Sequence, residues 1–398
     1  MRLLTTTTGL VLLALLALPA HGDDRAAPIR ARMQAFVDQH DIAGAVTVVG
    51  RKDAIISYEA VGSLSLESGQ PMAKDALFRI ASMTKPITAV GIMILMDEGK
   101  LSIEDPVEKH LPEFKGQMLV TGRSKDAVTL GKPPRPITVR DLLTHTSGLP
   151  GGMPPGLSDL YLKRNHTLAE AVMAFSQRPL DFEPGSKWAY CNTGIDTLGR
   201  IIEVVSGQRY EDFLDRRVFQ PLGLTDTTFY PTKEQLERAA PTYGKKEGKL
   251  FRPPNSLISL PKGARYPIPA GGLYSTGADL AKFYRMMLGR GTLGKVRILS
   301  PESVAAMTKV QTGDLNAAFT PGMGFGLGWA VVRKPEGVTA MLSPGSYGHG
   351  GAFGTQAWID PDQDLFVVLL IQRVGLPNSD ASDMRKELQA AAVAALKK

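Results

Sequence analysis

A single cysteine, Cys191, occurs in the 398 residues. No disulfide can form within the chain, so an exported product would be held by its core alone. Nothing near Cys191 in the sequence argues for a lowered pKa, and it reads as a small buried hydrophobe. The six histidines (His21, His40, His110, His145, His166 and His349) show none of the spacings of a metal site, and no metal or cofactor is expected. A G-x-S-x-G nucleophile elbow is missing, since "YSTG" at 274–277 lacks the first glycine,. The glycines at 322–328 precede a strand pattern instead of following one, which argues against dinucleotide binding,. No five like charges run together: 46 Lys and Arg are interleaved with 39 Asp and Glu. The net charge of +7 therefore describes a mildly basic globular protein, with no nucleic-acid partner expected. No internal repeat occurs at a solenoid period.

Long apolar runs are also missing. The most apolar stretch, Leu10–Leu18, is too short to span a bilayer,. It sits in "MRLLTTTTGLVLLALLALPAHGDD", where a basic residue, an apolar stretch and small residues precede an acidic, polar start. That layout is a cleavable signal peptide over residues 1–22, cut after Ala20 or Gly22, and it implies export to the periplasm or medium with no stable membrane span.

What is present organises the rest. "PIRARMQAFVDQH" places Ile29, Met33, Phe36 and Val37 at helical spacing, and "AGAVTVVG" and "AIISYEAVG" read as strands,. A helix follows from about residue 84, with Ile87, Val90, Ile94 and Leu95 on one face and Gly99 as its stop,. The middle of the chain is mostly helical. Thr138 and Asp141 stand at capping spacing, Gly207 ends a periodic run from Ile195, and Pro301 opens a short helix,. Stretches 115–136 and 241–270, rich in Lys, Gly and Pro, read as surface loops,. Strand patterns return in "GFGLGWAVVR", "AFGTQAWIDP" and "DLFVVLLIQR", and an Ala-rich helix closes the chain. The expected fold is mixed α/β (α+β). An antiparallel sheet is flanked by the first and last helices, and a mostly helical lobe (about 83–311) packs on an α/β lobe (about 23–82 and 312–398) within one catalytic domain.

Three short patterns carry chemistry. In "FRIASMTKPITAVGIMILMDEG", Ser82 and Lys85 are three apart, on one side of a helix start. A desolvated amine there can take a serine proton, while the bland alternative is a helix-capping serine and a solvated lysine. In "KWAYCNTG", Tyr190 and Asn192 point the same way if the segment is extended. A phenol beside an ammonium has its phenolate favoured and can serve as a base; otherwise Tyr190 is a packing aromatic and Asn192 a helix cap. In "YGHGGAFGT", His349, Gly350 and Gly351 lead to Ala352, either as a turn between strands or as a strand edge whose free N–H groups face a substrate oxyanion.

In this order, S-x-x-K, Y-x-N and H-G-G resemble the serine β-lactamase and penicillin-binding-protein family, in particular its class C-like branch of carboxylesterases, DD-peptidases and D-aminopeptidases. "LLTHTSGLP", "GGLYSTGADLAKF" and "FGLGW" look like the same family. The resemblance implies an acyl-enzyme on Ser82, proton transfer by Lys85 and Tyr190, positioning by Asn192, and an oxyanion hole from the N–H groups of Ser82 and Ala352. The implied substrate is a small ester, β-lactam or D-amino-acid peptide. The sequence departs from the family's K-T-G at His349-Gly350-Gly351. A mostly neutral histidine holds a substrate carboxylate less firmly than a lysine, which favours esters. The alternative of another class is a non-catalytic envelope protein that keeps the fold to bind.

Overall fold

The structure, a computed structural model, describes residues 27–153, 156–157, 163–254 and 260–396. The expected signal peptide lies outside these residues. Eight strands form one antiparallel sheet: β1 (Gly44–Gly50), β2 (Ile55–Ser65), β3 (Gln70–Pro71), β4 (Met323–Phe325), β5 (Ala330–Val332), β6 (Tyr347–Gly350), β7 (Gln356–Asp360) and β8 (Leu365–Leu370). Their spatial order is β4-β5-β6-β7-β8-β1-β2-β3. The early strand β1 thus pairs with the late strand β8, Val46 opposite Leu370 and Val48 opposite Val368.

Every residue of β1 and β8 is buried, because both faces of the sheet are covered. Successive side chains alternate between faces. Ala45, Val49, Val367 and Leu369 join Ile29 and Met33 of helix α1 (Ala27–Asp38) and Leu388 and Ala392 of the C-terminal helix Asp383–Leu396. Val46, Val48, Val368 and Leu370 instead join the core beneath the helical region. The first and last helices therefore share one face, as the periodicity predicts.

Helix α2 (Thr84–Asp97) is buried from Thr84 through Leu95. It is a central helix, buried well beyond the one face that Ile87, Val90, Ile94 and Leu95 mark. Its polar residues are absorbed by internal bonds: the Thr88 hydroxyl donates to the Pro269 carbonyl at 2.8 Å and meets the Tyr210 hydroxyl at 2.6 Å. Gly91 permits close approach to α3 (Asn192–Ser206), since a Cβ there would press on Ile202. The two stretches expected as surface loops each carry a short hairpin, and the second also has a buried part. Leu119–Arg123 pairs with Val128–Gly131, and Gly244–Lys246 with Lys249–Phe251, as hairpins. Tyr266, Ile268 and Ala270 are buried, and the Ala270 carbonyl accepts from Lys85. Thr138 and Asp141 do form the expected capping box, and α3 ends on Gly207 in the left-handed conformation.

Candidate active site

Ser82 lies in the 3₁₀ turn Ala81–Met83 that leads into α2. Ala81, just before it, has φ = 46°, a left-handed conformation that costs a non-glycine residue about 1–3 kcal/mol. The turn is held from several sides. Thr84 donates its hydroxyl to the Ala81 carbonyl at 2.7 Å and accepts from the Leu273 N–H at 3.3 Å, while the Ile80 N–H donates to the Leu273 carbonyl at 3.0 Å. Ser82 does not cap the helix: Met83 holds the N-cap position, with no side-chain cap bond. The hydroxyl is thereby left free for other partners.

Its partners are Lys85 and Tyr190. Lys85 is fully buried, with Nζ 3.0 Å from Ser82 Oγ and 2.6 Å from the Ala270 carbonyl oxygen. It also lies 4.7 Å from the centroid of the Tyr190 ring. Burial lowers the Lys85 pKa to about 7, against the pull of the Asp196 carboxylate. Near neutral pH a large fraction of the amine is then unprotonated and can accept a proton. Tyr190 shares a hydrogen bond with Ser82, yet burial pushes its phenol well above the usual range. The expected phenolate is therefore corrected. The ammonium that was to favour it is itself desolvated, and Tyr190 rests as a neutral phenol.

Asn192 is half-buried and opens α3. The cap of that helix is Cys191, whose Sγ accepts from the Gly194 N–H at 3.2 Å; the cysteine is buried, and burial raises its thiol pKa. Among the described residues no hydrogen bond joins Asn192 to Ser82 or Lys85.

His349 and Gly350 end strand β6. The imidazole is buried, its Nδ1 lies 2.7 Å from the Gly350 carbonyl oxygen, and burial, with Lys85 adding to it, lowers its pKa to about 3. It is neutral at physiological pH, as expected. The two glycines have a packing reason. A Cβ on Gly350 would collide with Asp380 and Gln356, and one on Gly351 with Thr355 and the Ile80 carbonyl. Thr355 Oγ1 also donates to that carbonyl at 3.2 Å. The strand edge is thus drawn tightly against the turn bearing Ser82. The N–H groups of Ser82 and Ala352 have no hydrogen-bond acceptor among the described residues. Ser82, Tyr190, His349, Gly350, Gly351 and Ala352 line one pocket of about 350 Å³. A larger groove, about 440 Å³ near Phe114 and Pro133, contains neither Ser82 nor Lys85.

Two further contributors escape sequence reasoning. His145, with φ = 60°, brackets Tyr190: its carbonyl accepts from the Ala189 N–H at 2.9 Å and its Nδ1 from the Cys191 N–H at 3.1 Å. Its ring centroid lies 4.7 Å from that of Tyr190. The sequence signal was the stretch "LLTHTSGLP", which assigns no role to the histidine. Asp196 is buried on α3; it accepts from the Ala270 N–H at 2.8 Å and from the Tyr266 hydroxyl at 2.5 Å. It thereby aims the Ala270 carbonyl at Lys85. Among the described residues no three His, Cys, Asp or Glu side chains gather where they would hold a metal ion.

A hydroxyl facing a partly neutral amine, with unpaired N–H donors at the same mouth, is the equipment of a serine hydrolase. The chain belongs to the β-lactamase family, whose model matches residues 29–392. It is 31% identical over 375 residues to esterase EstB of Burkholderia gladioli, covering 87% of this chain and 91% of the relative. It is 32% identical over 363 residues to penicillin-binding protein 4 of Amycolatopsis lactamdurans, covering 90% and 87%. Among solved structures it matches EstCE1, a hydrolase with promiscuous acyltransferase activity, with a TM-score of 0.77, 26% identity and coverage of 94% and 99%. The protein is an enzyme of this hydrolase family, and its mixed α/β fold with a large antiparallel sheet is the family's fold.

Proposed function

We propose that the protein is an exported carboxylesterase that works through an acyl-enzyme on Ser82, with residues 23–398 as one catalytic domain. The observation that carries this reading is the 3.0 Å contact between Ser82 Oγ and a fully buried Lys85 Nζ. Neutral Lys85 takes the serine proton as Oγ attacks the ester carbonyl. The negative charge that develops on the carbonyl oxygen is received by the N–H groups of Ser82 and Ala352. Tyr190 donates its proton to the departing alcohol and recovers one from the Lys85 ammonium. Water then attacks the acyl carbonyl, gives up its proton by the same route, and releases the acid with Ser82 restored. His349 borders the substrate, as its place in the pocket lining supports, and Asn192 is assigned a positioning role on the family resemblance alone.

Ester specificity is supported by His349, a neutral side chain where a lactamase or DD-peptidase would hold a substrate carboxylate with a lysine. The similarity to EstB and EstCE1 supports it too. The similarity to penicillin-binding protein 4 keeps amide chemistry, on a β-lactam or a D-alanyl peptide, as the second reading. Export rests on the composition of residues 1–22,. The test compares p-nitrophenyl butyrate with nitrocefin, using Ser82→Ala as the blank. Ester turnover lost in the variant, with nitrocefin far slower, is the expected result. Faster turnover of nitrocefin would put the second reading first, and activity surviving in Ser82→Ala would remove the nucleophile.

A further inference from the structure

Asp380 is the one Asp, Glu, Lys or Arg side chain lining the pocket at Ser82, among the described residues. Its carboxylate is held in place. Oδ1 lies against Gly350, where a Cβ would collide with it, and accepts from Gln356 Nε2 at 3.2 Å. The Asp380 N–H donates to Asn378 Oδ1 at 3.0 Å, and Asn378 Nδ2 donates to the Phe319 carbonyl at 2.9 Å, tying the segment across the pocket rim. The charge of Arg385 acts on the Asp380 carboxylate, but from outside the pocket lining. Arg385 stacks on Trp358 at 3.8 Å and donates to the Asp380 backbone carbonyl at 2.5 Å. No ion pair within 4 Å joins the two side chains among the described residues, and Arg385 is buried and does not line the pocket. His349 is neutral, and Lys85 lies fully buried beneath Ser82.

We propose that Asp380 gives the pocket a charge preference: acyl chains ending in an ammonium are favoured over those ending in a carboxylate. This rests on the esterase reading above and narrows its substrate class to neutral and cationic esters. A fixed carboxylate in a partly solvated pocket attracts a cation and repels an anion more strongly than the same charge in open water. The anionic substrates of β-lactam and D-alanyl type are then disfavoured twice, by the missing lysine and by the carboxylate present.

The experiment compares kcat/KM at pH 8 for the p-nitrophenyl esters of hexanoic acid, adipic acid (monoester) and 5-(trimethylammonio)pentanoic acid, with Ser82→Ala as the blank. Burial raises the Asp380 pKa, so the comparison is made on the alkaline side, at pH 8. The wild type is expected to favour the trimethylammonium ester over the monoadipate by roughly tenfold or more, the scale of one charge acting across a partly solvated pocket. Asp380→Asn should bring that ratio to within about threefold, and Asp380→Glu should keep it, since only the charge is at issue. A wild-type ratio below about threefold overturns the inference without any variant, and so does a ratio that Asp380→Asn leaves unchanged. Ser82-dependent turnover with a flat ratio would leave the esterase reading standing and remove only this one. If none of the three esters is turned over through Ser82, both fall.

Discussion

Consider the replacement of Lys85 by methionine, which keeps the length of the side chain and removes the amine. In the unfolded chain this lysine titrates at its ordinary value of 10.5, and in the fold burial brings it to about 7. Holding the amine in the fold at pH 7 then costs about 4 kcal/mol, from 1.36 kcal/mol per pKa unit. Methionine avoids that cost but leaves the Ala270 carbonyl without its partner, a loss of about 1–3 kcal/mol. The net expectation is a variant more stable by about 1–3 kcal/mol. By entropy scaling, that raises Tm by roughly 1–4 °C for a chain of this size. The pH dependence is the sharper test. A depressed lysine pKa destabilises the fold most below pH 7, and the penalty fades as pH rises from 7 towards 10.5. The advantage of Lys85→Met should therefore shrink steadily between pH 7 and 9.5 in paired urea and thermal melts. Ester turnover should meanwhile fall by about 10²–10⁴-fold, the usual worth of a lost general base. A variant less stable than wild type at pH 7, or an advantage that does not change with pH, would refute the desolvation argument.

Other outcomes follow from the same contacts. Because the Asp196 carboxylate raises the Lys85 pKa, Asp196→Asn should move the acid limb of the kcat/KM profile, expected near pH 7, to lower pH; a limb that stays in place would show that another group titrates there. Gly351→Ala would drive a methyl into the Ile80 carbonyl and Thr355, costing about 1–3 kcal/mol by overpacking. Urea melts should show that loss, and because the clash bears on the turn holding Ser82, kcat should fall more than KM rises.

Much of this site was legible because its chemistry is carried by side chains at short sequence spacing. Ser82 and Lys85 are three apart, and His349, Gly350 and Gly351 are contiguous. The sheet was legible through the β-rich runs that became β1 and β8, buried on both faces, and the flanking helices through their apolar spacing. What escaped depends on tertiary surroundings. Thr84, Lys85 and Thr88 look like the wet side of a helix until Pro269, Ala270 and Tyr210 are seen to receive them. The Ala270 carbonyl is a backbone group, which no motif marks, and it sits in a Gly- and Pro-rich stretch whose composition suggests solvent. The Tyr190 phenolate failed for a related reason: burial disfavours the ionised phenol itself, and it also removes part of the charge from the Lys85 ammonium that was to favour it. Asp380 gave no signal, since one carboxylate after a Pro-Asn-Ser run resembles any surface turn.

The pairing of β1 with β8 has a bearing on synthesis. While a ribosome is still making the last strands, β1 has no partner on one side, and the edge that presents Ala352 to Ser82 does not yet exist. On the proposed mechanism the enzyme stays inert until that edge forms, and the wait for such a distant pairing leaves an apolar strand, Gly44–Gly50, open to neighbouring chains,. Turnover should consequently appear late in refolding, with the closing of the sheet, and serve as a direct report that both ends of the chain have met.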